Sequence, residues 1–232
     1  MRVIYESAEL LAATAAARLA VTLADAQAVR GTASVVLTGG GIAAKLYSAL
    51  RDAPYRDAVD WSRVDFWWGD ERFLPTGDPE RNETQARAAL LDALPVPPEN
   101  IHAMPATDGP DGGDPDAAAA RYAAALAGPF DVVLLGVGED GHVASLFPGH
   151  PEVDITDLTV SAVRDSPKPP PTRITLTLPV LTSAREVWLV AAGAGKAEAV
   201  ASALSDGPVP AARVRGAERT LWLLDAAAAS RL

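Results

Sequence analysis

Short runs of consecutive apolar residues, each ending in a glycine-rich or polar turn and followed by a helix-forming stretch, recur along the chain. Ser34-Val-Val-Leu37 runs into Thr38-Gly-Gly-Gly41, Val64-Asp-Phe-Trp-Trp68 into Gly69-Asp-Glu-Arg72, and Phe130-Asp-Val-Val-Leu-Leu135 into Gly136-Val-Gly-Glu-Asp-Gly-His142. A strand that is apolar at successive positions is covered on both faces, and strands alternating with helices pair in parallel because each connection must cross back over the sheet. The pattern predicts an α/β fold: a mainly parallel, Rossmann-like sheet with helices on both faces, three layers in the order αβα. Ligands of such sheets bind beyond the carboxyl ends of the strands. The loops after residues 37, 68 and 135 are therefore expected to converge on one crevice.

Residues 8–29 are rich in Ala and Leu and are followed by Gly31, which predicts a packed helix with a glycine stop. Further helices are expected over 42–51, from Asn82 to about Leu94 with Gln85 at capping-box spacing, and from Asp114-Pro115 to Gly128. A short strand near Ile101, a surface loop over 105–113, and strands at 158–163, 173–178, 186–190 and 221–224 complete the set. There is no internal repeat, and a chain of 232 residues with 49% hydrophobic content reads as a single domain over 1–232.

The formal net charge of −10 argues against a nucleic-acid partner, which needs a surplus of Lys and Arg on one face. An anionic small molecule would require a locally basic pocket in an acidic surface, so cations near loop ends carry the information. The chain has no cysteine, hence no disulfide, thiolate nucleophile or Cys-based zinc site. It opens Met-Arg-Val-Ile-Tyr-Glu-Ser without an apolar leader and has no apolar run of membrane-spanning length, so a cytoplasmic protein without a membrane partner is expected. Asn82-Glu-Thr84 matches a glycosylation sequon by chance.

Thr38-Gly-Gly-Gly41 has the form of a phosphate cradle, since residues without side chains let backbone N–H groups of Gly39, Gly40 and Gly41 and a helix start close on an anion. A tight strand-to-helix turn is the plainer alternative; its place among three converging loops favours the cradle. Gly136-Val-Gly-Glu-Asp-Gly141 matches the dinucleotide fingerprint, but Glu139 and Asp140 stand where a pyrophosphate must approach and Pro148 leaves no room for the following helix. Gly193-Ala-Gly-Lys196 lacks the first Gly and the Ser/Thr of a P-loop. Asp140-Gly-His142 places an imidazole beside a carboxylate in a loop at the sheet edge, where His142 can take a proton from water. His102 and His150 are assigned structural roles. In Trp68-Gly-Asp-Glu-Arg72, the Arg72 fork suits phosphate and the acids, Asp70 and Glu71, suit sugar hydroxyls or a partner cation. Lys168 lies in the stiff run Ser166-Pro-Lys-Pro-Pro-Pro-Thr-Arg173, and only Lys45 and Lys196 join it as lysines.

Four blocks together resemble the 6-phosphogluconolactonases: Leu37-Thr-Gly-Gly40, Trp68-Gly-Asp-Glu-Arg72 with Asn82 downstream, Leu134 to Gly149, and Ser166 to Thr177. The related glucosamine-6-phosphate deaminases share the Asp-Gly-His element, but where they carry a catalytic Glu this chain has Phe147. One departure from the lactonases is the first loop, which often reads Ser-Gly-Gly-Ser-Thr-Pro there and Thr-Gly-Gly-Gly-Ile-Ala here. The resemblance implies a glucosamine-6-phosphate deaminase-like fold and hydrolysis of 6-phospho-D-glucono-1,5-lactone in the oxidative pentose phosphate pathway. His142 would be the base on water and Asp140 its partner. Gly39 to Gly41, Asp70 and Arg72 would bind substrate, with Lys168 and Arg173 as further implied contacts. A lactone is an activated ester, so no metal or cofactor is expected. A monomer or weak homo-oligomer is expected. A deaminase-like enzyme and a non-catalytic sugar-phosphate sensor on the same fold are the alternatives.

Overall fold

The computed structural model describes residues 1–232. In chain order the first elements are β1 (Arg2–Tyr5), α1 (Ala8–Arg30), β2 (Ala33–Leu37), α2 (Gly41–Asp52), β3 (Val64–Trp68), β4 (Asp70–Arg72) and α3 (Asn82–Ala89). They are followed by α4 (Pro115–Ala125), β5 (Val132–Gly136), β6 (Val160–Val163), β7 (Arg173–Leu176) and α5 (Leu178–Ser183). The chain ends with β8 (Glu186–Ala191), α6 (Ala197–Leu204), α7 (Pro210–Arg213) and β9 (Arg219–Asp225).

The six-stranded central sheet has the order β1-β9-β8-β5-β2-β3, and every neighbouring pair is parallel. Its middle strands β5 and β8 are buried except for Gly136 at the carboxyl end of β5, as the continuous apolar runs require. The chain leaves β2 toward β3 on one side and returns to β5 on the other. The carboxyl ends of β2 and β5 therefore flank the point where strand order reverses, where an open α/β sheet leaves a crevice. Helix α1 packs on α2 and covers β2 and β9, and it ends as expected on Gly31 at φ 83°. No helix is long and apolar enough to cross a membrane.

Two expected strands leave this sheet. The runs 158–163 and 173–178 form β6 and β7; β7 is the middle strand of a separate three-stranded sheet and pairs antiparallel with β6 on one side and β4 on the other. Only a proline-rich segment joins β6 to β7, and it supplies no helix to carry the chain across for parallel pairing. Gly69 couples the two sheets: its N–H donates to Leu37 O at 3.0 Å and its carbonyl accepts from Leu176 N at 2.8 Å.

Helix α3 also differs from expectation. It ends at Ala89, and a separate 3₁₀ turn buries Leu91. Arg81 occupies the cap position without a side-chain cap, and Gln85 donates to Pro79 O instead of completing a capping box. The helix start is held from a different element. Alternation along β4 sends Asp70 and Arg72 to one face and Glu71 to the other, where the Glu71 carboxylate accepts from the N–H groups of Arg72 at 2.8 Å, Asn82 at 2.6 Å and Glu83 at 2.8 Å. Arg81 lies 3.8 Å from the same carboxylate.

Glu71→Ala leaves those helix-start donors without an acceptor and is expected to cost about 3 kcal/mol, the low end for breaking a buried pair, because Arg81 keeps Glu83 as a partner. Urea unfolding measures it; a loss under about 1 kcal/mol would mean that water replaces the carboxylate.

Candidate active site

The crevice between β2 and β5 opens into a cavity of about 610 Å³. Its floor is the turn from β2 into α2. Both backbone groups of Thr38 are held by the Tyr47 hydroxyl, which accepts from Thr38 N at 3.0 Å and donates to Thr38 O at 2.8 Å. Thr38 Oγ1 accepts from Gly136 N at 3.3 Å and so joins the two loops. Gly40, at φ 99°, turns the chain into α2, and no side chain caps that helix. Gly39, Gly40 and Gly41 all line the cavity, so the cradle expected from sequence faces it.

One wall is the face of the small sheet. Arg72 and Arg173 are directly opposite across β4 and β7, an arrangement of like charges that destabilises a strand pair unless something meets it. Asp70, buried on the same face two residues before Arg72, accepts from Ser145 Oγ at 2.6 Å and from Asn82 Nδ2 at 3.2 Å, and lies 3.9 Å from Arg173 Nη1. Arg72 donates to Glu80 O at 2.9 Å and Asn82 Oδ1 at 2.5 Å, which leaves its buried Nε without a partner. Arg173 holds the Lys168 loop: Nε donates to Pro170 O at 3.2 Å, and Nη2 to Lys168 O at 3.1 Å and Pro169 O at 3.0 Å. Burial holds Arg173 below its ordinary pKa against the pull of Asp70, with the Arg72 charge adding to the depression.

His142 stands in a loop closed on itself. Gly138 N donates to His142 O at 2.9 Å, and Gly141 N to Gly138 O at 3.0 Å. Gly141 adopts φ 82°, and Asp140 Oδ1 accepts from His142 N at 3.2 Å and faces His142 Nδ1 at 2.5 Å. With its proton on Nδ1 toward the carboxylate, the neutral ring keeps Nε2 as its basic nitrogen. Phe147, fully buried, packs behind the imidazole with ring centres 4.6 Å apart. Burial holds His142 below 6.5, and Asp140 pulls the other way through its charge and hydrogen bond. Burial is the largest single influence on Asp140 and raises it, but the His142 charge, the hydrogen bonds to His142 and the Lys168 charge together leave the carboxyl below 3.8.

Of the residues singled out from sequence, His142, Gly39, Gly40, Gly41, Asp70, Arg72, Lys168 and Arg173 all border this cavity, and Asp140 sits directly behind His142. Glu71 points away into the core. His102 stacks on Trp67 with ring centres 3.8 Å apart and pairs with Asp65 at 2.9 Å. His150 lies beside Phe147 and is not part of the cavity wall. Sequence reasoning missed the loop after β8. Gly193, at φ 95°, and Lys196 border the same cavity, as does Lys45, which pairs with Glu9 at 2.5 Å. All three lysines of the chain thus face one space. Lys196 is held below its ordinary pKa by burial and by the neighbouring Lys168 charge. Applying the carboxyl-end rule to every strand, and asking where so scarce a residue type falls, would have found this loop. Asn82 also borders the cavity, and its only sequence signal is its recurrence in the resembling block.

The arrangement can hold an anion against lysines, Arg72 and helix-start amides while an imidazole supported by a carboxylate takes a proton nearby. Gly138 leaves no room for a side chain, since a methyl there would overlap both the His142 ring and the Asp140 carboxylate. Gly138→Ala is therefore expected to lower turnover of the site's substrate by about 100-fold or more, with the melting temperature nearly unchanged. Turnover within a few-fold of the parent would show that the pairing of the two side chains is dispensable.

A family model described as glucosamine-6-phosphate isomerases/6-phosphogluconolactonase matches residues 6–222. The chain is 59% identical to a protein of Streptomyces coelicolor named 6-phosphogluconolactonase, over 99% of this chain and 94% of that one. A solved 6-phosphogluconolactonase of Trypanosoma brucei superposes with a TM-score of 0.86 at 29% identity, covering 100% of this chain and 98% of that one. A monomeric glucosamine-6-phosphate deaminase shares the fold, with a TM-score of 0.84 at 21% identity over 100% of this chain and 99% of that chain. With a matching model across nearly its whole length and a relative this similar, the chain belongs to the glucosamine-6-phosphate isomerase/6-phosphogluconolactonase family.

Proposed function

We propose that the chain hydrolyses 6-phospho-D-glucono-1,5-lactone to 6-phospho-D-gluconate in the oxidative pentose phosphate pathway. The observation that carries this reading is the carboxylate-supported His142 at the wall of a cavity that gathers every lysine of an acidic chain. The 59% identical relative named for that activity supports it. Phe147 packs on His142 at the position where the deaminases carry their catalytic Glu, so no second carboxylate joins Asp140 at the imidazole, which argues against the deaminase alternative.

In this mechanism the 6-phosphate binds the amides of Gly39 to Gly41 with Arg72 and Lys196, and Lys168 is presented by the loop that Arg173 holds. Asp70 accepts from sugar hydroxyls. His142 Nε2 takes a proton as water adds to C1 of the lactone, and the negative charge developing on the carbonyl oxygen is met by the cavity's excess of cations. The intermediate collapses with cleavage of the bond from C1 to the ring oxygen, and the imidazolium returns its proton to that oxygen, now the C5 hydroxyl. Asp140 keeps the ring oriented and steadies its charged form. Phosphate contacts fix the carbonyl against the water. On this reading the enzyme works in the cytoplasm as a monomer or weak homo-oligomer, without a cofactor.

The test couples glucose-6-phosphate dehydrogenase as lactone source to 6-phosphogluconate dehydrogenase as reporter. The parent chain should accelerate lactone decay, and His142→Ala should lose on the order of 1,000-fold of that acceleration while still binding 6-phosphogluconate. A parent without activity removes the lactonase reading, and an active His142→Ala removes the base. The acid limb of kcat/KM should fall below 6.5, the ordinary His value, because burial disfavours the imidazolium. Asp140→Asn should move that limb lower still, since Asp140 is what raises His142, and should also lower the plateau rate. A limb that moves up would show that the carboxylate does not support the imidazolium.

A further inference from the structure

Asn82 is placed for a task other than holding its helix. Asn is among the preferred residues at a helix cap, yet Asn82 sits one position inside α3, after Arg81 in the cap position, and its side chain makes no cap hydrogen bond. The amide turns away from the helix toward the cavity wall, where the residue is only 2% exposed. Its Oδ1 accepts from Arg72 Nη1 at 2.5 Å, and its Nδ2 donates to Asp70 O at 2.8 Å and to Asp70 Oδ1 at 3.2 Å. A neutral amide supplies an acceptor for a guanidinium and two donors for a carboxylate and a carbonyl on separate atoms of one planar group. An Asp there would repel Asp70, a Lys would repel Arg72, and an apolar side chain would leave both without that partner.

The same amide explains Gly39. The left-handed turn is made by Gly40, whereas Gly39 has no positive φ. A methyl at Gly39 would overlap Asn82 Oδ1. Gly39 is thus required by the amide packed against it and not by its own backbone. The backbone N–H of Asn82 is in turn fixed by Glu71 at 2.6 Å, so one buried carboxylate sets where the amide stands.

Resting on the lactonase reading, we propose that Asn82 is a positioning residue of the reaction: its amide sets the Arg72 guanidinium and the Asp70 carboxylate against the Gly39 turn, so that Arg72 presents its remaining donors to the substrate phosphate.

The test is a double-mutant cycle on the full chain with Asn82→Ala, Gly39→Ala and the pair. It reads kcat and KM for the phosphorylated lactone and for unphosphorylated glucono-1,5-lactone, 6-phosphogluconate affinity by calorimetry, and melting temperature. Asn82→Ala should raise KM for the phosphorylated lactone by about 10-fold and weaken 6-phosphogluconate binding by a similar factor. The unphosphorylated lactone should be affected far less, a split that general loosening of the fold would not produce. Gly39→Ala should reproduce the loss, and the pair should be no worse than Asn82→Ala alone, because the methyl enters the room the amide leaves. Should Asn82→Ala not fold, Asn82→Asp, equal in size, keeps the question open to test: it should lose affinity for 6-phosphogluconate by repelling Asp70. Additive losses in the cycle, equal effects on both lactones, or an Asn82→Asp variant that binds like the parent would each overturn the proposal. A parent inactive on lactone would instead count against the lactonase reading, and the calorimetric cycle would still decide the role of Asn82.

Discussion

A carboxylate with no solvent exposure, Glu71, ties the two halves of the site together. Burial raises its pKa to about 7, even though the Arg81 charge and three backbone N–H groups favour the ionised form. Such a group is costly to bury and persists where its hydrogen bonds are all made. Here those bonds run to the strand that carries Asp70 and Arg72 and to the first turn of α3, which carries Asn82. The alternation of a strand as short as Asp70–Arg72 thereby divides labour among adjacent residues. Two side chains face the cavity, and the one between them locks that face to the neighbouring helix.

Several local rules are broken at the same place. Arg72 and Arg173 oppose each other across an antiparallel pair. Ala144, without glycine's freedom, takes φ 49° in the turn that brings the Ser145 hydroxyl to Asp70. Lysines collect on one cavity of a chain with a net charge of −10. The crowded cations repel one another, a cost that a bound anion would relieve, and the Ala144 turn is kept because it delivers Ser145 to Asp70. The departures cluster around the cavity, as expected where a sequence serves a ligand and not only its own folding.

The parts of the site that sequence made legible follow from rules acting within a few residues. Continuous apolar runs marked β2, β3 and β5, glycines marked the turns after them, and the carboxyl-end rule then brought His142 and the Thr38–Gly41 loop to one crevice. The parts that were not legible depend on partners distant in sequence. Nothing near Asn82 shows that its helix is capped by Glu71, so local spacing suggested a capping box that the fold does not use. Nothing in 173–178 shows that its neighbours are β4 and β6, because an apolar run looks the same in a parallel and an antiparallel sheet. Lys196 was passed over because Gly193-Ala-Gly-Lys196 was compared with a motif instead of being placed at the end of its strand.

His142 shows how this scaffold sets reactivity through opposing influences. The apolar ring of Phe147 and the depth of the loop disfavour a charged imidazole, while Asp140 favours it. The balance lies on the side of burial, which favours the neutral ring; in the proposed reaction that leaves Nε2 free to act as the base, with a carboxylate in place for the moment the ring becomes charged. Neither influence would suffice alone. A buried histidine without Asp140 would be a poor proton acceptor, and an exposed pair would hold the proton it needs to be free of. The glycine between the two residues lets the chain fold back so that the backbone N–H and Nδ1 of His142 meet the same Asp140 carboxylate oxygen. The chemistry of the site therefore rests on a backbone conformation that glycine adopts readily and other residues rarely do.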